Sequence, residues 1–219
     1  MAIEELEIEL SSIYIPEAVA KVIEASDRRW EQFFAARGHR RAPRFVPSEP
    51  ELVFAALQEV TQRGLPTGHV FCEWGSGFGT ATCLAALLGY EAYGLEIHEE
   101  LADISRDMAQ QLGISVEICC ASFLPEGYES YSGVGGEDLV KPESFGYFDD
   151  EIEGELRYDG MGLDIAEIDL FFAYPWPEEQ ELIQQLFDAV AVEGAILVAY
   201  HSAKEICVFR KLFDGRERV

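Results

Sequence analysis

Between His69 and Gly89 the sequence HVFCEWGSGFGTATCLAALLG runs an apolar, strand-like stretch into a turn holding Gly75, Gly77 and Gly79, and then directly into a helix-like stretch. Glycine permits positive φ and removes the Cβ atoms that would hold a ligand away from the backbone. A second apolar run ends in Leu95-Glu96-Ile97, which places a carboxylate 21 residues after Gly75. In doubly wound folds an acid at about that distance, at the carboxyl edge of the sheet, accepts hydrogen bonds from ribose hydroxyls. Glycines also serve ordinary tight turns, but a strand before, a helix after and an acid at this interval together point to a bound nucleotide or nucleoside. The dinucleotide fingerprint GxGxxG is not met, because Thr80 stands at its last glycine and the spacing is GxGxG. There is no GxxxxGK[ST] loop for a nucleoside triphosphate either.

The rest of the chain extends that unit. Apolar runs predict strands at about 69–74, 92–97, 115–119, 168–174 and 195–201. Leu84/Leu87/Leu88, Leu101/Ile104/Met108/Leu112 and Leu182/Leu186/Val190 mark three helices between them, each with one apolar side. This alternation is the pattern of a parallel sheet covered on both faces. Upstream, Val19, Ile23, Ser26, Trp30, Phe33 and Phe34 predict an amphipathic helix over 16–37 with Pro16 in its first turn. Ser48 and Glu51 form a capping-box pattern before Val53, Leu57 and Val60, a second helix that Gly64 stops. The expected fold is α/β, a doubly wound, mostly parallel sheet preceded by two N-terminal helices. Residues 1–47 read as a helical extension or lid and 48–219 as the binding domain. Only 18 residues follow the fifth strand, enough for about one more around Ile206–Arg210, so the C-terminal edge of the sheet is expected to be shortened. Residues 121–167, rich in glycine and acids, read mostly as a long loop, whose order the sequence leaves open.

Composition narrows the partners. Hydrophobic residues make up 48% of the 219, enough for a packed core, while 41 Asp and Glu against 16 Lys and Arg give a net charge of -25. Such a field repels phosphate backbones and anionic membranes and disfavours nucleic acid as a partner. No apolar run approaches a bilayer span, and the acidic start MAIEELEIELSS lacks the pattern of a secretory signal. The five cysteines (Cys72, Cys83, Cys119, Cys120, Cys207) include no CxxC pair and sit mainly in apolar runs, as reduced thiols do. A cytoplasmic location is expected. No His/Cys/Asp cluster has metal-ligand spacing, so no metal is expected.

The run Glu73-Trp74-Gly75-Ser76-Gly77-Phe78-Gly79, with Glu96 after it, resembles the glycine motif and second-strand acid of the class I S-adenosylmethionine-dependent methyltransferases. The resemblance spans about residues 48–201 and implies a Rossmann-like methyltransferase fold with S-adenosylmethionine as cofactor. It implies cofactor contacts along Gly75, Ser76, Gly77 and Gly79, with Glu73 helping to hold the ammonium group. Glu96 would bind the ribose hydroxyls and Ile97 would pack on the adenine. The family often carries an acid after the third strand; here Ser122 and Phe123 stand near that place, as a polar contact and a stacking surface. A cofactor with a sulfonium and an ammonium against one carboxylate suits an acidic pocket better than a pyrophosphate does.

The fourth strand ends Ala173-Tyr174-Pro175-Trp176-Pro177, where such enzymes place acceptor contacts. Pro175 and Trp176 match amine-methylating branches, but Ala173 replaces their Asp or Asn. The Pro-Trp-Pro run also resembles the transfer-RNA guanine-N7 methyltransferases, yet Glu178-Glu179 follows in place of basic residues. Tyr174 and Trp176 either cap the core or line a methyl-transfer channel by cation–π attraction. Tyr174 and His201 are the catalytic candidates, His201 as a proton acceptor. The resemblance thus implies methyl transfer to a small molecule or a basic protein side chain; the alternative is a non-catalytic module that binds the nucleoside. Neither the acceptor nor the oligomeric state is written in these residues.

Two charge segments stand out. Arg28, Arg29, Arg37, Arg40, Arg41 and Arg44 lie within 17 positions that hold only Glu31 as an acid, a local +5 against -30 elsewhere. They either pair with the acidic body and fix the N-terminal helix over the sheet edge, or recognise an anionic substrate group. Residues 137–169 carry a net -10, a solvated acidic loop or a field that suits a cationic acceptor.

Overall fold

The computed structural model describes residues 1–10, 14–125, 128–130, 139–140, 157–158, 160–201 and 205–213. Seven strands form the main sheet: β1 (Ile3–Leu6), β2 (Val70–Trp74), β3 (Glu91–Leu95), β4 (Glu117–Cys119), β7 (Leu170–Ala173), β8 (Ile196–His201) and β9 (Glu205–Lys211). The short β5 (Glu129–Ser130) and β6 (Leu139–Val140) pair with each other. In space the main sheet runs β1-β9-β8-β7-β2-β3-β4. Its five parallel members, counted along the chain, stand in the order 3-2-1-4-5, the doubly wound order in which the chain reverses direction across the sheet between β2 and β7. The five central strands expected from the apolar runs are all present, each within a few residues of its expected ends.

One layer, α1 (Glu17–Ala35), α2 (Pro50–Gln62), α3 (Thr80–Leu87) and α4 (Glu99–Leu112), covers the sheet face that carries Phe71, Phe172 and Val198. The opposite face, with Cys72, Phe171 and Leu197, is covered by α5 (Gln180–Val190) through Ile183, Leu186 and Phe187. Successive residues of β2, β7 and β8 therefore face opposite layers, and both layers are apolar. Each fully buried Phe or Leu here is worth roughly 1.5–3 kcal/mol over exposure.

Three expectations change. Two helices do not precede the first strand: β1 comes before them and pairs antiparallel with β9, Ile3 opposite Lys211 through Leu6 opposite Val208. The C-terminal segment supplies one strand beyond β8, as its length implies, and the N-terminus fills the next place. Residues 3–6 thus belong to the sheet and not to a separate extension. Second, the Ser48–Glu51 capping box does not form. The N-cap is Glu49, followed by Pro50 in the first turn, where its fixed φ and missing N–H suit a helix start. Third, part of the expected loop 121–167 is core: Tyr158, Met161 and Ile165 are buried against the α5 face. The acidic stretch 141–156 lies outside the described residues.

Candidate functional site

The turn after β2 sits at the carboxyl edge, beside the point where the strand order reverses, which is where ligands of doubly wound sheets bind. Gly75, Gly77 and Gly79 all have positive φ, at 75°, 52° and 71°. The N–H groups of Gly75 and Ser76 donate to the Leu95 carbonyl (2.9 and 2.8 Å), so the turn is tied to the end of β3. The three glycines differ in what they face. A Cβ on Gly75 would meet nothing within 4 Å, a Cβ on Gly77 would strike the Phe45 ring, and one on Gly79 would strike the Ser105 hydroxyl of α4. Gly75 therefore borders open space, and Gly79 is demanded by helix packing rather than by a ligand. Ser76 does not present its side chain to the cleft. It is buried against Gly94, and its hydroxyl has no hydrogen-bond partner among the described residues.

Both motif carboxyls are buried, each 6% exposed. Glu73 accepts from the backbone N–H of Thr82 (2.8 Å) and from its hydroxyl, capping the start of α3. Burial pushes its pKa up from 4.5 to about 8, helped by the nearby Glu96 and opposed by the two Thr82 bonds. Glu73 is thus neutral at pH 7 and tied to α3. Glu96 spans two loops: one oxygen accepts from Gly77 N–H and the other from His98 N–H, each at 2.8 Å. It joins the glycine turn to the start of α4 and fixes the shape of the cleft.

Beside Glu96, Ile97 is 67% exposed, an apolar side chain held out at the carboxyl edge. The Cys120 thiol lies 3.9 Å from the Ile97 carbonyl. Ser122 accepts from Leu124 N–H at 3.0 Å in a local turn, and Phe123 stacks on Trp74 with ring centroids 6.2 Å apart. Trp74 in turn donates its indole N–H to the Tyr158 hydroxyl at 3.0 Å.

The two catalytic candidates do not converge. Ala173 lies opposite Ala199 in the β7–β8 ladder, and Tyr174 packs its ring edge-on to Tyr200 at 4.6 Å, so these two share a face. Side chains alternate along a strand, so His201 faces the other layer. His201 is 8% exposed, with Nδ1 3.6 Å from the Cys207 sulfur and Nε2 without a hydrogen-bond partner among the described residues. Burial lowers its pKa below the ordinary imidazole value, so it is a neutral side chain of the hairpin. Pro175 is buried. Trp176 is half-buried and donates its indole N–H to the Arg44 carbonyl at 3.1 Å.

That last bond leads to a feature outside the glycine motif. After α1 the chain folds back through Arg37, a non-glycine residue at φ 59°, and crosses the carboxyl edge. Arg41 makes a two-pronged pair with Glu100 of α4 (2.6 and 2.7 Å), and Arg44 pairs with Glu179 (2.8 Å) while stacking 5.7 Å over the Trp176 ring. Directly after the second anchor, Phe45 lies on Gly77 and against Phe78, Phe33 and Trp30, with centroids 4.5, 5.9 and 6.0 Å away. Arg29, on α1, bonds Asp107 and Gln111 of α4. The arginine run thus pairs in part with the acidic body, the first of its two readings.

Five parallel strands in doubly wound order, an antiparallel strand beyond them, and the glycine turn clasped by Glu96 settle the architecture. This is a doubly wound, Rossmann-like α/β fold. No protein-family model and no curated protein matches the sequence. Among solved structures, a Salinibacter ruber RNA methyltransferase in complex with S-adenosylhomocysteine aligns at 16% identity and TM-score 0.49, over 78% of this chain and 97% of that one. A Clostridium acetobutylicum S-adenosylmethionine-dependent methyltransferase aligns at 8% identity and TM-score 0.44, over 77% of this chain and 56% of that one. A Thermus thermophilus 16S rRNA methyltransferase in complex with S-adenosylmethionine and guanosine aligns at 12% and 0.46, over 76% and 44%. The chain spans only about half the length of the latter two.

Proposed function

We propose that this protein is an S-adenosylmethionine-dependent methyltransferase. The observation that carries the reading is the turn at Gly75–Gly79, bare backbone at the strand-order reversal, clasped by the buried Glu96 and open at Gly75. The residues suit the group in kind. Gly75 and Gly77 let the backbone come close to its methionine end, Glu96 offers carboxylate oxygens to ribose hydroxyls, and exposed Ile97 offers an apolar face for adenine, with Ser122 and Phe123 alongside. Ser76 and Gly79 support the turn from behind. Glu73, buried behind the turn, protonated at pH 7 and capping α3, supports it too rather than holding the ammonium.

When bound, the cofactor supplies an electrophilic methyl group on a sulfonium. The chain's own part is to align an acceptor and exclude water, which can supply much of the rate without a protein nucleophile. Tyr174, Pro175 and Trp176 follow the fourth parallel strand beside that position, and the π-faces of Tyr174 and Trp176 favour a cationic acceptor. A small molecule or a basic protein side chain fits the net charge of -25 better than RNA. The RNA substrates named for two of the structural matches are theirs. Among the described residues no helix is long and apolar enough to cross a membrane, and we place the protein in the cytoplasm.

A second reading, a non-catalytic module that binds the cofactor, draws on Ala173. This buried apolar residue stands where amine-methylating relatives carry Asp or Asn, and His201 faces away from Tyr174. Incubation with S-adenosylmethionine and panels of small amines, metabolites and basic proteins separates the two. Formation of S-adenosylhomocysteine that depends on an acceptor supports the enzyme, whereas binding without product across the panels supports the module.

A further inference from the structure

We infer that Arg41–Phe45 is a gate over the cofactor site, with Phe45 as the plug that leaves when cofactor binds. The inference rests on the cofactor reading above. The bare face of Gly77 is the surface a ligand needs for close backbone approach, and in this structure the Phe45 ring takes that approach. Phe45 is itself only half-buried. Its cage is Phe78 of the glycine turn with Phe33 and Trp30 of α1.

The strap is held at both ends by surface contacts. Arg41 on Glu100 ties it to α4 on one side of the cleft, and Arg44 on Glu179 and Trp176 ties it to the end of β7 on the other. The members of the Arg41–Glu100 pair are 49% and 46% exposed. Exposed ion pairs are individually weak, so the strap is latched rather than locked. Trp176 sits at the acceptor strand and bonds the strap backbone at Arg44, so the gate connects the cofactor end of the cleft with the acceptor end. A protein whose site is open in about one molecule in ten binds about tenfold more weakly than its open form, and removing the plug recovers that factor.

The test is Phe45→Ala with Arg44→Gln as a second variant that frees one latch and leaves the aromatic cage intact. S-adenosylhomocysteine is titrated into wild type and both variants by calorimetry, association is followed by stopped-flow, and circular dichroism monitors folding. The expected result is binding about tenfold tighter for Phe45→Ala and faster association for both variants. Wild-type binding with no gain in affinity or rate in either variant overturns the gate and leaves the cofactor reading standing. If wild type and both folded variants all fail to bind, the cofactor reading falls and takes the gate with it. Should Phe45→Ala not fold, an unchanged association rate in Arg44→Gln alone overturns the gate.

Discussion

Replacing Glu73 with glutamine keeps an oxygen to accept from the backbone and hydroxyl of Thr82 and removes the titratable proton. In the folded chain burial raises this carboxyl from 4.5 to about 8, against the lowering effect of the Thr82 bonds. Between those values the folded state holds a proton that the unfolded state has lost. Wild-type stability is therefore fully present below about pH 4.5 and falls as pH rises toward 8, by about 1.4 kcal/mol per pH unit. From about pH 5 to about pH 7.5 the loss from this one group is about 3 kcal/mol. Urea unfolding followed by circular dichroism at several pH values in that window reads the difference between Glu73→Gln and wild type directly. Near pH 5 the two should be close, and the variant should gain steadily to about 3 kcal/mol at the upper end. Parallel profiles would refute the reasoning. So would a wild type that gains on the variant with pH, because that would mean an ionised carboxylate stabilised by the start of α3.

Two other substitutions probe the frame around the site. Gly79→Ala forces a Cβ into a left-handed backbone and into Ser105, so it should cost about 2–4 kcal/mol by urea unfolding. Ser105→Ala in the same chain should restore part of that, and strict additivity of the two changes would count against the contact. At the end of β9 Lys211 is 8% exposed and donates to the Asp188 carbonyl (2.7 Å) and carboxylate (2.8 Å), and Asp188 also accepts from Ala2 N–H. Lys211→Ala should cost about 2–4 kcal/mol by leaving that carboxylate unpaired, and a loss under about 0.5 kcal/mol would show that the clasp contributes little.

The parts of the fold legible in the sequence are those where local pattern and tertiary demand agree. The central strands are apolar because both their faces are buried, and the glycine turn declares itself because glycine takes φ of 52° to 75° without steric cost at three alternate positions. Glu96 was legible from its spacing, although not its clasp between Gly77 and His98. What could not be read locally depends on distant partners. Ile3–Leu6 carries two glutamates and becomes a strand only because β9 supplies a ladder and Arg210 meets Glu4 at 3.3 Å. Tyr158 sits in an acidic, glycine-rich stretch and is buried because Trp74 offers it a donor. His201 looked like a strand-end base, but the alternation of β8 turns it to the opposite layer from Tyr174. The strap was half legible: the arginine run announced pairing with the acidic body, while the place of Phe45 on Gly77 follows from the fold-back at Arg37.

The central claim is that the Gly75–Glu96 cleft holds the sulfur-bearing nucleoside shared by S-adenosylmethionine and S-adenosylhomocysteine. Thermal unfolding of the wild-type chain with S-adenosylmethionine, S-adenosylhomocysteine or NAD tests it most directly. A ligand at about 100 times its dissociation constant stabilises by about 2.7 kcal/mol, which raises the midpoint of a chain this size by about 5–10 °C. The account predicts that rise with both sulfur ligands and none with NAD. No rise with either sulfur ligand, or an equal rise with NAD, would contradict it.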